Sequence, residues 1–421
     1  MVVGLARSGQ AAARLLAERG ERVIACDAAT PEVELPDSVE THLGVDGLEL
    51  LNDVRTVVKS PGVPNDALAI AAARQRGILV IGELELAWRL LPNRFVAVTG
   101  TNGKTTTVEL LGAIWRAAGL PVVVAGNVGT PLASLVGQID PETTVICEAS
   151  SFQLEDTVAF APDVAILLNI EDDHLDRHGD LAGYTEAKQR IFANQGKKDR
   201  AFMPIHLSHL VGRAWWEGFD GETEIADGKL WFRGDPIPLD EIRLRGAHNY
   251  ENIAAAALAA DESGISREAI FDALRAFPGV EHRLEEVATV DGVLYVNDSK
   301  ATNPASALRG LQAFDGGIHA ILGGSLKGGG FTTLRDEVAA RCRACYLVGE
   351  AADRLEADLD GTVALRRSGT LEQAVADAAA AAEPGDVVLL SPACASFDAF
   401  TSYEARGARF KELVAALERG E

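Results

Sequence analysis

Gly100, Thr101, Asn102, Gly103, Lys104, Thr105 and Thr106 follow one another between an apolar stretch, Phe95–Val98, and a helical pattern that runs to about Ala118. Glycines let backbone N–H groups close around phosphate oxygens. Lys104 can then neutralise the outer phosphates, and the Thr105 hydroxyl can ligate Mg2+. The full phosphate-loop pattern needs glycine at position 98, where Val98 stands, so this is a variant with a glycine four residues before the lysine. ATP is the nucleotide expected there.

Two further groups of polar residues end apolar strands. Glu148 closes Thr144–Cys147 and is followed by Ser150-Ser-Phe-Gln153; a carboxylate at the end of a parallel strand beside a phosphate loop is where Mg2+ needs a second ligand. Asn169 closes Val164–Leu168, and Glu171-Asp-Asp-His-Leu-Asp-Arg-His178 lies just beyond. His174 and His178 are four apart, but the glutamate of a zinc-protease helix is missing between them. Carboxylates with one imidazole suit a hard cation better.

The elements that must position these groups repeat one logic three times. Met1–Val3, a turn Gly4-Leu-Ala-Arg-Ser-Gly9, a helical stretch to Gly20 and a strand Val23–Cys26 ending in Asp27 make a βαβ start. Ala6 stands at the middle glycine of the dinucleotide fingerprint, so NAD is weakly supported. Thr56–Val58 and Ile78–Ile81 read as further strands of this segment, which runs to about Leu91. A second segment, 92–279, adds a strand at Val122–Val124, and its residues Asp199–Leu244 read as small antiparallel strands. A third, 280–421, has strands at Leu294–Asn297, His319–Leu322, Cys345–Val348 and Val387–Leu390, with a capping box Thr370-x-x-Gln373 signalling a helix between the last two. The expected fold is α/β: three consecutive domains, an N-terminal Rossmann-like one, a central phosphate-loop type of doubly wound sheet with an antiparallel appendage, and a C-terminal Rossmann-like one.

Composition narrows the partners. Apolar residues make up 47% and charged residues 24%, which fits a globular chain. Lys and Arg total 39 against 62 Asp and Glu, a formal charge of -23 that disfavours nucleic acid. Five cysteines in this length build no disulfide framework, and the Cys342–Cys345 pair has no companion ligands. The longest uncharged run, Ala117–Ile139, is broken by Pro121, Gly126, Gly129 and Pro131, and no export signal is visible. A cytoplasmic monomer without membrane contact is expected.

Thr99-Gly-Thr-Asn-Gly-Lys-Thr105, Glu148-Ala-Ser-Ser-Phe-Gln-Leu-Glu155, Asn169 with Asp173-His-Leu-Asp-Arg177, and His248-Asn-Tyr-Glu-Asn252 resemble the ATP-dependent Mur ligases of peptidoglycan synthesis, over essentially the whole chain. Asn297-Asp-Ser-Lys-Ala-Thr-Asn303 and Ser391-Pro-Ala-Cys-Ala-Ser-Phe-Asp398 resemble the branch of that family that adds D-glutamate. The histidine-containing motif of the diaminopimelate-, lysine- and alanine-adding branches is missing at Asp298. The resemblance implies ATP, UDP-N-acetylmuramoyl-L-alanine and D-glutamate as substrates, with an acyl phosphate between them. It implies two Mg2+ ions, with Lys104 and Thr105 at the β/γ-phosphates and the first metal, Glu148 as shared ligand, and His174 on the second. Lys188, when carbamylated, serves that second metal as well.

By the same resemblance Asn249 and Asn252 lie at adenine, Asp298 at ribose, and Arg283 at phosphate. Lys300, Thr302, Lys327, Ser396, Phe397 and Tyr403 belong to the D-glutamate side. Arg7, Ser8 and Gly62 belong to the uridine diphosphate, and Asn127 to the muramoyl-peptide end. The chain departs from the family in a first strand only three residues long before Gly4, in a missing Asn-Ala-Asp-Asp element near Ala201–His206, and in a compressed stretch to Leu244. A folylpolyglutamate-synthase-like amide ligase and a non-catalytic nucleotide-sugar sensor are the competing readings.

Overall fold

The computed structural model describes the chain apart from Glu222, Arg245, Lys327, Gly328 and Glu421, and apart from the side chains of Thr223, Glu224, Ala247 and His248. It divides into two compact units: Met1–Ile242 with Glu251–Phe277, and Arg243–Tyr250 with Pro278–Glu421.

The first unit holds two parallel sheets. In the first, β1 (Val2–Val3), β2 (Ile24–Asp27), β3 (Glu40–Leu43), β4 (Thr56–Lys59) and β5 (Leu79–Gly82) lie in the order β3-β2-β1-β4-β5, with all pairs parallel. The chain reverses direction across the sheet at β1, a topological switch point at which ligands bind beyond the strand C-termini. The second sheet contains β6 (Phe95–Thr99), β7 (Val122–Gly126), β8 (Thr144–Glu148), β9 (Val164–Leu167), β10 (Arg200–Met203) and β11 (Trp215–Gly218), in the order β11-β10-β9-β6-β8-β7. Phe95, Val96, Ala97 and Val98 are wholly buried, as a strand covered on both faces must be.

Between Asp199 and Leu244 the expectation needs correcting. Two of the strands, β10 and β11, extend the main sheet in parallel. Only β12 (Thr223–Ala226), β13 (Lys229–Phe232) and β14 (Asp235–Pro238) form the antiparallel appendage.

The second unit is one six-stranded sheet of β15 (Glu285–Val290), β16 (Val293–Asn297), β17 (Ile318–Gly323), β18 (Cys342–Val348), β19 (Ala364–Gly369) and β20 (Val387–Leu390), in the order β15-β16-β20-β17-β18-β19. Only the edge pair β15–β16 is antiparallel. Thr370 caps the helix Leu371–Ala381 by accepting the Gln373 N–H at 3.2 Å. Among the described residues no helix is long and apolar enough to cross a membrane.

Candidate active site

In the first unit, β6 delivers the chain into the loop Gly100–Gly103 and the helix Lys104–Ala117. Gly100 has φ +155° and Gly103 φ +84°, backbone conformations that side chains resist. Gly103 is tight for a second reason: a Cβ there would lie 2.2 Å from Oδ1 of Asn252. The loop is held from beneath by Asn169, whose carbonyl accepts the Thr101 N–H at 3.0 Å and whose Oδ1 accepts the Asn102 N–H at 2.9 Å. Glu171 adds a hydrogen bond from Asn102 Nδ2 at 3.0 Å. Lys104 folds back over the loop and donates to the carbonyls of Gly100 (2.8 Å) and Thr101 (2.9 Å).

Lys188 reaches the same place from the helix Leu181–Gln189. Its Nζ donates to the Gly100 carbonyl at 2.8 Å and sits 4.4 Å from the centre of the Tyr184 ring. The side chain is buried, and burial, reinforced by the Lys104 ammonium, drives its pKa well below the lysine range. Glu148 ends β8 in register with Val98. Its Oε1 accepts Asn127 Nδ2 at 2.9 Å, while Oε2 is buried without a hydrogen-bond partner. Thr99 and Thr106 also keep buried hydroxyl oxygens without partners. Such oxygens are costly unless something binds them. His174, with φ +52°, starts the helix Leu175–His178; its ring is half exposed, 4.8 Å from that of Phe152 and 6.4 Å from that of Tyr184.

The oxygens here fit a hard cation: Glu148 presents an unused carboxylate oxygen, and Thr99 and Thr106 present unused hydroxyls. Among the described residues no three His, Cys, Asp or Glu side chains converge on one point. A Mg2+ ion here would therefore draw further ligands from phosphate and water, its usual habit.

The Gly4–Gly9 turn opens the helix Arg7–Glu18 with Arg7 exposed, Ser8 half-buried and no side chain capping the helix. Asp27 is committed to this turn: Oδ2 accepts the Leu5 N–H at 2.6 Å and Oδ1 the Ala29 N–H at 2.8 Å. Gly62 lies exposed on the neighbouring turn after β4.

In the second unit, Asp298 follows β16, with Oδ2 accepting from the Ser391 hydroxyl at 2.7 Å and Oδ1 from the Leu284 N–H at 3.3 Å. Burial raises its pKa to about 7, against the pull of Ser391 and the Arg283 guanidinium. Arg283 sits in a turn where His282 (φ +62°) and Leu284 (φ +44°) are both left-handed, and its Nε is buried without a partner. Lys300 lies 5.7 Å from the centre of the Tyr403 ring, and the Thr302 N–H donates to the Lys300 carbonyl at 2.9 Å. Ser396 is buried with an unpartnered Oγ, and Phe397 is 70% exposed. Asn249, which belongs to this unit, is buried on the helix Ala247–Asp261 that also carries Asn252. Lys327 lies outside the described residues.

Three family profiles match in chain order: a Mur ligase MurD-like N-terminal domain over residues 1–82, a Mur ligase middle domain over 98–260, and a Mur ligase glutamate ligase domain over 282–394. A protein of Acidobacterium capsulatum named UDP-N-acetylmuramoylalanine--D-glutamate ligase is 44% identical over 99% of this chain and 96% of its own. This chain belongs to the Mur ligase family. A relative of the same name from Pelotomaculum thermopropionicum is 41% identical over 100% of this chain and 98% of its own. Among solved structures, the MurF ligase of Thermotoga maritima in complex with ADP has a TM-score of 0.63 at 19% identity, covering 98% and 99% of the two chains. MurC of the same organism has a TM-score of 0.60 at 17% identity, covering 99% of this chain and 98% of its own. At those identities the two structures attest the Mur ligase fold.

One residue of the second unit belongs to no motif read in the sequence. Arg406 is buried and donates to the carbonyls of Ser299 (2.9 Å), Cys394 (3.1 Å) and Ala395 (3.1 Å), stitching together the loops that carry Lys300 and Ser396. Its position three residues after Tyr403 on one helix was the only available signal.

Asp298 has a counterpart in Glu83 of the first unit, also raised to about 7 by burial. For each carboxyl the folded value exceeds the unfolded one, so the native state holds the extra proton. The resulting stability is full below about pH 4 and is lost as pH rises through about 7. Asp298→Asn and Glu83→Gln should therefore flatten the decline of melting temperature between about pH 4 and 7, each by roughly 5 °C. Unchanged profiles by calorimetry would contradict the assignment.

Proposed function

We propose that this Mur ligase joins D-glutamate to UDP-N-acetylmuramoyl-L-alanine at the expense of ATP, in the cytoplasm, through an acyl phosphate. The observation that carries the reading is the meeting of Lys104 and Lys188 on the Gly100 carbonyl, with the unpartnered Glu148 oxygen at the end of the strand paired in register with Val98. Full-length identity to relatives bearing that activity in their names supports the choice of substrates.

The chemistry follows from charge. A carboxylate is a poor acyl donor, because its carbonyl is delocalised and its leaving group would be oxide. Attack of the L-alanine carboxylate on the γ-phosphorus forms a C–O–P bond and breaks the bond to ADP. The D-glutamate amine then adds to the acyl carbon, the tetrahedral adduct expels inorganic phosphate, and the amine proton passes to solvent. Both reactants of the first step are anions, so the barrier is chiefly electrostatic. In this reading Lys104 offsets charge on the β/γ oxygens. Thr105, Glu148, His174 and a carbamylated Lys188 would hold Mg2+, which supplies further charge neutralisation when bound. Thr101, Asn102 and Thr106 complete the phosphate cradle.

Asn249, Asn252, Asp298 and Arg283 are proposed for the nucleotide, and Arg7, Ser8, Gly62 and Asn127 for the UDP-sugar. Lys300, Thr302, Ser396, Phe397 and Tyr403, with Lys327, are proposed for D-glutamate. Residues 1–91, 92–279 and 280–421 are proposed as the nucleotide-sugar, ATP and amino-acid domains. Phosphate release is the direct test. It should require both UDP-N-acetylmuramoyl-L-alanine and D-glutamate; release that ignores them, or that responds to a folate instead, overturns the reading.

A further inference from the structure

A closed ring of hydrogen bonds and ion pairs lies in the first unit, outside the phosphate loop. Lys59, at the end of β4, is wholly buried, a location that penalises a cation unless it is fully paired. Its Nζ donates to the Val63 carbonyl (3.0 Å), Asn65 Oδ1 (3.1 Å) and Glu155 Oε1 (3.0 Å), and lies 2.8 Å from Asp156 Oδ2. Arg177 comes to two of the same acceptors from the opposite side. Its Nη2 donates to the Val63 carbonyl at 2.8 Å and to the Glu155 carboxylate. One carbonyl and one carboxylate thus each serve two cations. Burial alone would raise the Glu155 carboxyl, but Arg177 and Lys59 hold it below its ordinary range.

The ring closes around the Ser60–Val63 turn. That turn is also the seat of the Gly4–Gly9 turn. The Ser60 hydroxyl donates to the Gly4 carbonyl at 2.7 Å, and a Cβ on Gly4 would lie 2.6 Å from Val63 Cγ2. Both turns assigned to the uridine diphosphate therefore rest on one support. Arg177, the far side of that support, follows His174 by three residues on the same short helix.

We infer that Lys59, Glu155 and Arg177 are positioning residues that fix the nucleotide-sugar turns to the His174 segment. The ring holds those turns in the geometry that binds the sugar nucleotide. This rests on the assignment of those turns to UDP made above.

The test compares Lys59→Met and Arg177→Met with the wild-type enzyme, using calorimetric binding of UDP-N-acetylmuramoyl-L-alanine, steady-state kinetics and melting temperature. Displaced turns should raise both Kd and KM for the sugar nucleotide about tenfold. The KM for D-glutamate should stay within about twofold, and kcat at saturating sugar nucleotide within about threefold. Arg177 is at the ring's edge, so its variant carries the test should Lys59→Met not fold. Folded variants that bind the sugar nucleotide as tightly as wild type overturn the inference and leave the proposed reaction standing. Wild-type enzyme that does not bind it overturns the assignment of the turns and the inference together.

Discussion

Lys104→Ala should reduce ligation by at least about 10^3-fold, the scale on which a preorganised charge at a reacting phosphate acts. Lys104 is held over the loop by two carbonyls, so its ammonium is in place before a nucleotide arrives. Lys188 is the other lysine bonded to this loop, and burial beside the Lys104 ammonium draws its pKa down. Little else on the loop can offset the charge that gathers on the β/γ oxygens. Lys104→Arg should recover only a small part of the rate, because a planar guanidinium does not reproduce a compact ammonium at one point. Phosphate release at saturating substrates measures both variants. Near-normal turnover by the alanine variant would remove the basis for placing ATP here.

Lys188→Met should be nearly as damaging, by about 10^2–10^3-fold, for a different reason. A buried amine driven below the lysine range gives up its proton more readily than an exposed one, and the lone pair so freed can add to carbon dioxide. An N–C bond forms, a proton leaves, and a cation becomes an anionic oxygen donor beside Glu148. Wild-type enzyme freed of carbon dioxide should lose activity and regain it with bicarbonate. Carbon-13 bicarbonate should give a carbamate resonance in the wild type that is missing in Lys188→Met. A Lys188→Met enzyme with undiminished turnover would sink the assignment.

Much of this arrangement was legible in the sequence because it is local. Glycines and a lysine at fixed offsets between an apolar strand and a helix define the Gly100–Thr106 loop without any tertiary knowledge, and Thr370 announced its helix by the same kind of rule. What escaped was either short and polar or decided at a distance. The strands β3, β15 and β19 lie at sheet edges, and Glu40–Leu43 and Ala364–Gly369 carry too few apolar residues for an alternating pattern. The parallel pairing of β10 and β11 depends on the neighbours they meet, which their residues do not encode.

Side chains tell the same story. Lys59 and Arg406 look like ordinary charged residues until the fold brings them acceptors from far along the chain, the Glu155 carboxylate and the Ser299 carbonyl. Asn127, expected at the muramoyl-peptide end, also donates to Glu148, a contact its sequence neighbours do not announce.

The Gly100 carbonyl accepts from two lysine nitrogens at once, those of Lys104 and Lys188. Acylation of Lys188 by carbon dioxide removes one of those donors and turns a rival for the carbonyl into a counterion for Lys104. Arrival of a triphosphate draws on the same lysine from the other direction. If Lys188 is carbamylated as proposed, gas uptake and nucleotide occupancy would be thermodynamically linked, each tightening or loosening the other by one common factor. Bicarbonate would then act as a silent setting on how readily the protein takes up its fuel.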